Sequence, residues 1–345
     1  YNPAFKCAHI DLLRNNCFGS FRELLMKVTK DAAMIRFLNL QLSTAERPNE
    51  NYARELLELY SLGTGEYTET DIQNISRILT GFRANGDGEF YLAKRHQNKQ
   101  AYTILGKAEV KDLEGVIDAI LEKEACARFV TRRFCDFFLS TELTNAEVNS
   151  IANRFYSSDY SLTALYRAAG TFIIEEPGRV AGRLYKSPLN FLTSTFTLLP
   201  LVSHDRQALF SLQRRHGQQL LFPPSVSGWP LHMAWFDSTS YRQRIDTITA
   251  LISGQAIEDE GSGEQVDAEI PQMSQLSTGR GILRVDLNGI IRDYSAADID
   301  TDKLLNWSSS RDTSHIASLR RSLNKNAGRN RVLAEAMRSP EFQLI

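Results

Sequence analysis

Thr68-Glu-Thr-Asp-Ile-Gln-Asn-Ile-Ser-Arg-Ile-Leu-Thr-Gly81 carries a helix start, a helix body and a helix stop in one stretch. Thr68 with Asp71 three residues later has the form of a capping box, in which each side chain serves the other residue's backbone N–H. Ile72, Ile75, Ile78 and Leu79 then recur at helical spacing, and Gly81 is placed to end the run. The same pattern extends outward in both directions. Phe21-Arg-Glu-Leu-Leu-Met-Lys-Val-Thr29 alternates apolar and charged residues at helical spacing. The run from Glu50 to Leu62 follows Pro48, has Leu56, Leu59 and Tyr60 as its apolar face, and meets Gly63 as its stop. Leu113 to Leu121, Ala125 to Phe138, Ser161 to Phe172 and Leu189 to Leu199 read as further helices. Thr144 and Glu147 form a second capping box ahead of Val148 to Tyr156.

Strands do not alternate with these helices. The expected fold class is therefore mainly α: an irregular multi-helix array with long loops and at most a small β-hairpin. Any β-structure is expected within 85–107, a Gly- and Asn-rich stretch, and within 281–292. One helical domain is expected to span 1–345. It is interrupted at 254–281, where six acidic residues, no basic residue before Arg280 and Gly261-Ser-Gly263 predict a mobile acidic loop.

Composition narrows the function classes. The 345 residues are 42% hydrophobic and 23% charged, which is the profile of a globular protein with a large core. Forty basic against forty-one acidic residues leave a net charge of −1, so no global field invites nucleic acid or an anionic membrane. The tail from Arg311 to Arg338, with seven Lys/Arg against two acids, reads as a solvated helix face. No apolar run is long enough for a transmembrane segment. The chain opens on Tyr1-Asn-Pro3 without an initiator Met, which predicts that it is part of a longer precursor. Cys126 and Cys135 fall about 13 Å apart on one helix, too far to bridge, so buried free thiols are expected. A Cys7–Cys17 disulfide is the alternative for the other two.

Three stretches hold residue types that could carry chemistry. Asn49-Glu-Asn-Tyr-Ala-Arg-Glu-Leu-Leu-Glu58 places Asn51, Arg54, Glu55 and Glu58 on one helix face. Converging carboxylates suit acid–base work or a cation, whereas Glu50–Arg54 and Arg54–Glu58 would be ordinary ion pairs at i,i+4. Arg95-His-Gln-Asn-Lys99 places an imidazole, His96, in the flexible loop together with Lys99, a charge suited to binding an anion. No zinc motif, phosphate-cradling glycine loop or nucleophile elbow is present. The best candidate site places the 85–107 loop over the Asn51–Glu58 helix, with His96 as proton carrier or ligand and Glu55 and Glu58 as carboxylates. The third stretch is Phe222-Pro-Pro-Ser-Val-Ser-Gly-Trp-Pro-Leu-His-Met-Ala-Trp235. Here Pro223 and Pro224 fix φ, Gly228 permits a turn, and Trp229 is expected to bury its ring as a structural clamp, with stacking of the rings on a sugar or peptide as the alternative.

Together these stretches resemble the bacterial domain-of-unknown-function family 1800. The resemblance rests on Leu12-Leu-Arg-Asn-Asn-Cys-Phe-Gly-Ser-Phe-Arg-Glu-Leu-Leu25, the Pro48 to Gly63 block, Tyr67-Thr-Glu-Thr-Asp71 and Arg77-Ile-Leu-Thr-Gly81. It continues through Lys99, Ile104-Leu-Gly106, Lys186-Ser-Pro188, Phe222 to Pro230 and Ser339-Pro-Glu-Phe-Gln343. Members usually show Arg-Glu-His-Ala-Leu-Gly where this chain has Arg14-Asn-Asn-Cys-Phe-Gly19, and His-Asp where it has His96-Gln97. The resemblance implies a largely helical, exported protein of the periplasm or exterior, with a sulfatase-like protein as partner, and it implies no settled reaction or cofactor. The leading expectation is an exported helical scaffold or accessory protein that binds a partner protein. The alternative is an extracytoplasmic, metal-assisted hydrolase acting on a glycan or sulfated substrate.

Overall fold

The computed structural model describes residues 2–199, 201–203, 206–253, 284–285, 334 and 337–344. Its contacts divide the chain into two compact units, Tyr1–Arg179 and Val180–Ile345.

The first unit is built from nine helices: α1 (Pro3–Asn16), α2 (Phe21–Thr29), α3 (Ala32–Phe37), α4 (Asn51–Glu58), α5 (Glu69–Ile78), α6 (Leu113–Leu121), α7 (Glu124–Phe138), α8 (Asn145–Ser157) and α9 (Leu162–Glu175). Local chemistry sets most of the starts. Asn2, Ser20, Asp31, Asp112 and Ser161 each accept a backbone N–H at their helix N-terminus. Both capping boxes are fully formed, Thr68 with Asp71 and Thr144 with Glu147. Ile35, Leu38, Leu56, Leu57, Ile72, Ile75, Val116, Ile117 and Phe155 are buried in the core. On α4 the buried face is Tyr52, Ala53, Leu56 and Leu57, while Leu59 and Tyr60 are half-buried. The Tyr52 hydroxyl donates to Thr29 Oγ1 at 2.8 Å, which satisfies the phenol inside the core.

The mainly α class holds, and the β-structure is short. Strand β1 (Phe82–Ala84) pairs antiparallel with β2 (Phe90–Leu92), and β3 (Tyr102–Ile104) with β4 (Lys107–Val110). These hairpins begin before residue 85 and end after 107. Buried Asp71 reaches beyond its cap to accept the Leu105 backbone N–H at 2.7 Å, which holds Leu105 at φ 53 in the β3–β4 turn. Gly81 is in the left-handed region at φ +83, and an added Cβ would lie 2.9 Å from the Ala93 carbonyl oxygen. Gly81 also bonds Ser43 O and the Ala93 N–H through its backbone, tying the 43–48 and 93–98 segments to the end of α5. Gly81→Ala is therefore expected to destabilise the first unit by about 2 kcal/mol, read by urea unfolding. An unchanged midpoint would contradict this close approach.

Helix α10 (Pro177–Val180) lies at the boundary between the units. The second unit holds α11 (Pro188–Leu198), α12 (Arg206–Arg215) and α13 (Ser238–Ser253). Strand β5 (Leu201–Ser203) pairs antiparallel with β6 (Arg284–Val285). Phe191, Leu192, Leu199, Leu212, Ile248, Leu251, Met337 and Phe342 form the core of this unit. The acidic 254–281 stretch lies outside the described residues. So does the basic tail, apart from Ala334, Met337 and Arg338, and so does 281–292 apart from β6. No helix among the described residues is long and apolar enough to cross a membrane.

Candidate functional site

The polar face of α4 is organised by its neighbours. Asn49 takes the Asn51 N–H at 3.0 Å, and Asn51 Nδ2 donates to the Leu38 carbonyl at 3.3 Å, fixing the helix start to the end of α3. Arg54 pairs with Glu50 as expected, at 3.5 Å. Its stronger partner is Glu69 on α5, which it grips with both Nη atoms. That grip holds the Glu69 carboxyl below its ordinary range. Arg54 is not bonded to Glu58, whose carboxylate instead accepts the Tyr67 hydroxyl at 3.1 Å. Glu55 is half-buried, and burial first, then the Glu58 charge, raise its pKa against the opposing pull of Arg54. Glu55 is thus the carboxyl on this face best suited to hold a proton.

His96 sits in a 3₁₀ turn after β2, and its bonds run elsewhere. Its carbonyl accepts the Ala45 N–H at 2.9 Å, its N–H donates to Ala93, and its Nε2 accepts from Arg95 Nε at 3.0 Å. The carboxylate that feels His96 electrostatically is Glu46, which is lowered chiefly by bonds to its own backbone and to Thr44. None of these bonds joins the imidazole to Glu55 or Glu58. Lys99 is exposed. Among the described residues no group of three or more His, Cys, Asp or Glu side chains is placed to hold a metal ion. All four cysteines are free, and burial pushes the Cys126 and Cys135 thiols up to about 12.

The 222–235 stretch behaves differently from a buried clamp. Pro223 and Pro224 are exposed, Gly228 makes its turn at φ 88, and Trp229 is only half-buried. The buried ring is Trp235, whose carbonyl accepts from Arg244 at 3.4 Å. Arg244, on α13, is 1% exposed, and its fork also reaches Gln343 Oε1 at 3.1 Å and the Lys186 carbonyl at 2.8 Å. Lys186 in turn donates to the Phe342 carbonyl at 2.7 Å and stands 3.9 Å over the Phe342 ring. Lys186-Ser-Pro188 and Ser339-Pro-Glu-Phe-Gln343 therefore meet as a polar knot that fastens the 339–343 segment beside α11 and α13.

A surface unforeseen in the sequence lies where α7 ends. Phe134, Phe137 and Phe138 meet Phe18 and Tyr166 in a chain of rings, with centroids 4.8 Å apart for Phe134–Phe138, 4.7 Å for Phe137–Phe138 and 5.1 Å for Phe18–Tyr166. Phe18, Phe137 and Phe138 are 65%, 56% and 51% exposed. Ile173 follows Tyr166 by two turns on the same face of α9 and is also exposed. The spacing of Phe134, Phe137 and Phe138 is that of an ordinary core stripe, so the sequence holds no signal that separates this patch from buried surface.

No curated protein and no solved structure matches the chain. A family model, described as a protein of unknown function, matches residues 2–344. That span takes in the capped helices, the α4 block and the Lys186–Gln343 knot alike, and the chain belongs to the DUF1800 family.

Proposed function

We propose that this is an exported accessory protein, periplasmic or extracellular, that works by docking a partner protein on the aromatic face formed by Phe18, Phe134, Phe137, Phe138 and Tyr166. The observation that carries the reading is the combination of packing and exposure. Three of these rings are more than half exposed, yet they lock against one another and so lose little further freedom on binding. Contiguous aromatic surface of this kind is costly to leave in water and supplies the energetic centre of many interfaces. A sulfatase-like protein, which the family resemblance implies, is the first partner to test.

The test is native co-purification under mild cross-linking. Wild type is expected to retain one partner in fixed ratio, and Phe137→Ser/Phe138→Ser to lose it at least tenfold, while Glu55→Gln keeps it. Equal retention by the double variant would contradict the reading. The hydrolase alternative is favoured by one observation, the half-buried Glu55 with its raised pKa. It predicts that Glu55→Gln abolishes turnover of a sulfated glycan that wild type cleaves.

A further inference from the structure

Arg83 stands on β1, half-buried, with its Nη1 donating to the Phe82 carbonyl at 2.8 Å and its Nη2 to the Ser43 carbonyl at 3.1 Å. Both partners are neutral, and no carboxylate among the described residues forms an ion pair with Arg83 or with Arg95. The Ser43 carbonyl opens a segment that runs to Ala45, whose N–H bonds His96. Arg83 is thereby anchored to the strip of backbone that lies against the Arg95–His96 turn. Arg95 Nε can only donate, so His96 Nε2 accepts from it, which leaves Nδ1 as the ring's donor atom. Each guanidinium keeps further N–H groups beyond the bonds described.

The geometry points to a binding site for an oxyanion group, a sulfate or phosphate monoester, formed by Arg83, Arg95 and the His96 ring. Two forked guanidiniums from different elements suit the several acceptor oxygens of such a group, which gain charge-assisted bonds. Arg95 opposes the charge of Arg83, whose pKa is lowered by burial first and by Arg95 in addition. An anion would relieve that repulsion. Glu46 near His96, and Asp87 and Glu89 in the β1–β2 turn, make the surroundings unsuited to an extended polyanion and favour a single charged group. Tyr91, paired across the hairpin with Arg83 and 49% exposed, offers a ring face to whatever carries the ester. This site is independent of the aromatic docking face.

Calorimetric titration of the whole protein with glucose 6-sulfate, glucose 6-phosphate and glucose tests the proposal. Saturable binding of at least one ester, with none for glucose, is expected, and the preferred ester distinguishes the two sources of the oxyanion. Arg95→Gln, which removes an exposed side chain whose bond among the described residues is to His96, should weaken binding about tenfold or more, and Lys111→Gln should leave it unchanged. Arg83→Gln should act in the same direction, although its backbone bonds make Arg95→Gln the cleaner variant. No saturation with either ester up to about 20 mM, or equal affinity in Arg95→Gln, would overturn the site.

Discussion

Arg244→Ala is expected to destabilise the second unit by about 3–5 kcal/mol, because the substitution strips partners from a buried polar knot and leaves a cavity. The guanidinium is held by Gln343, Lys186 and Trp235, and its Cζ also stands 5.1 Å from the Phe191 ring centre. Two carbonyls and one amide oxygen lose a donor at once, and each such orphan costs roughly 1–3 kcal/mol when water cannot reach it. One effect runs the other way. Burial first, and the Arg244 charge second, press the Lys186 pKa down to about 8, so removing Arg244 lets Lys186 ionise more easily. Arg244→Lys separates charge from shape: it keeps the cation, loses the fork, and should recover little of the loss. Urea unfolding followed on the second unit is the measurement. A cost below about 1 kcal/mol would contradict a role for Arg244 as the knot that fastens Gln343.

Acid should weaken the same unit through His216. Its ring is buried against Phe191, bonds Thr247 Oγ1 at 3.1 Å, and is pushed down to about 3 by burial first and by the Arg244 and Arg215 charges in addition. The unfolded histidine titrates near 6.5, so between pH 6.5 and about 3 the unfolded chain binds a proton that the folded chain refuses. Stability therefore falls as pH drops through that window, approaching about 1.4 kcal/mol per pH unit in its middle. His216→Gln can keep a bond to Thr247 without titrating, and it should flatten the slope. Lys186 acts with the same sign at high pH. With a folded value about 8 against 10.5 unfolded, it makes stability rise as pH climbs between the two. An acid slope unchanged in His216→Gln would show that the loss comes from other groups.

The helices were legible because their signals are local. Thr68, Asp71, Thr144 and Glu147 state their roles within four residues, and both capping boxes form as read. The runs at Phe21–Thr29 and Leu113–Leu121 match their helices residue for residue. The site was legible only in its parts. The i,i+4 spacing visible in the sequence pairs Arg54 with Glu58, whereas its grip on Glu69 depends on how α5 lies beside α4. Arg83 and Arg244 look like any other arginine until burial and carbonyl partners set them apart. Trp229 and Trp235 are six residues apart in one loop, and composition could not say which ring would be covered. The α7 phenylalanines carry the spacing of a core stripe, and their exposure is set by what the rest of the fold leaves open.

The most direct test of the docking reading is site-specific photocross-linking in the native host, with p-benzoylphenylalanine in place of Phe138 and, as a control, in place of Lys111. Phe138 stands in the aromatic face and is 51% exposed, so the substituted ring keeps its setting. The account predicts one discrete protein adduct at position 138 and none at 111. No adduct at 138, or the same adduct from both positions, would contradict a partner docked on this face.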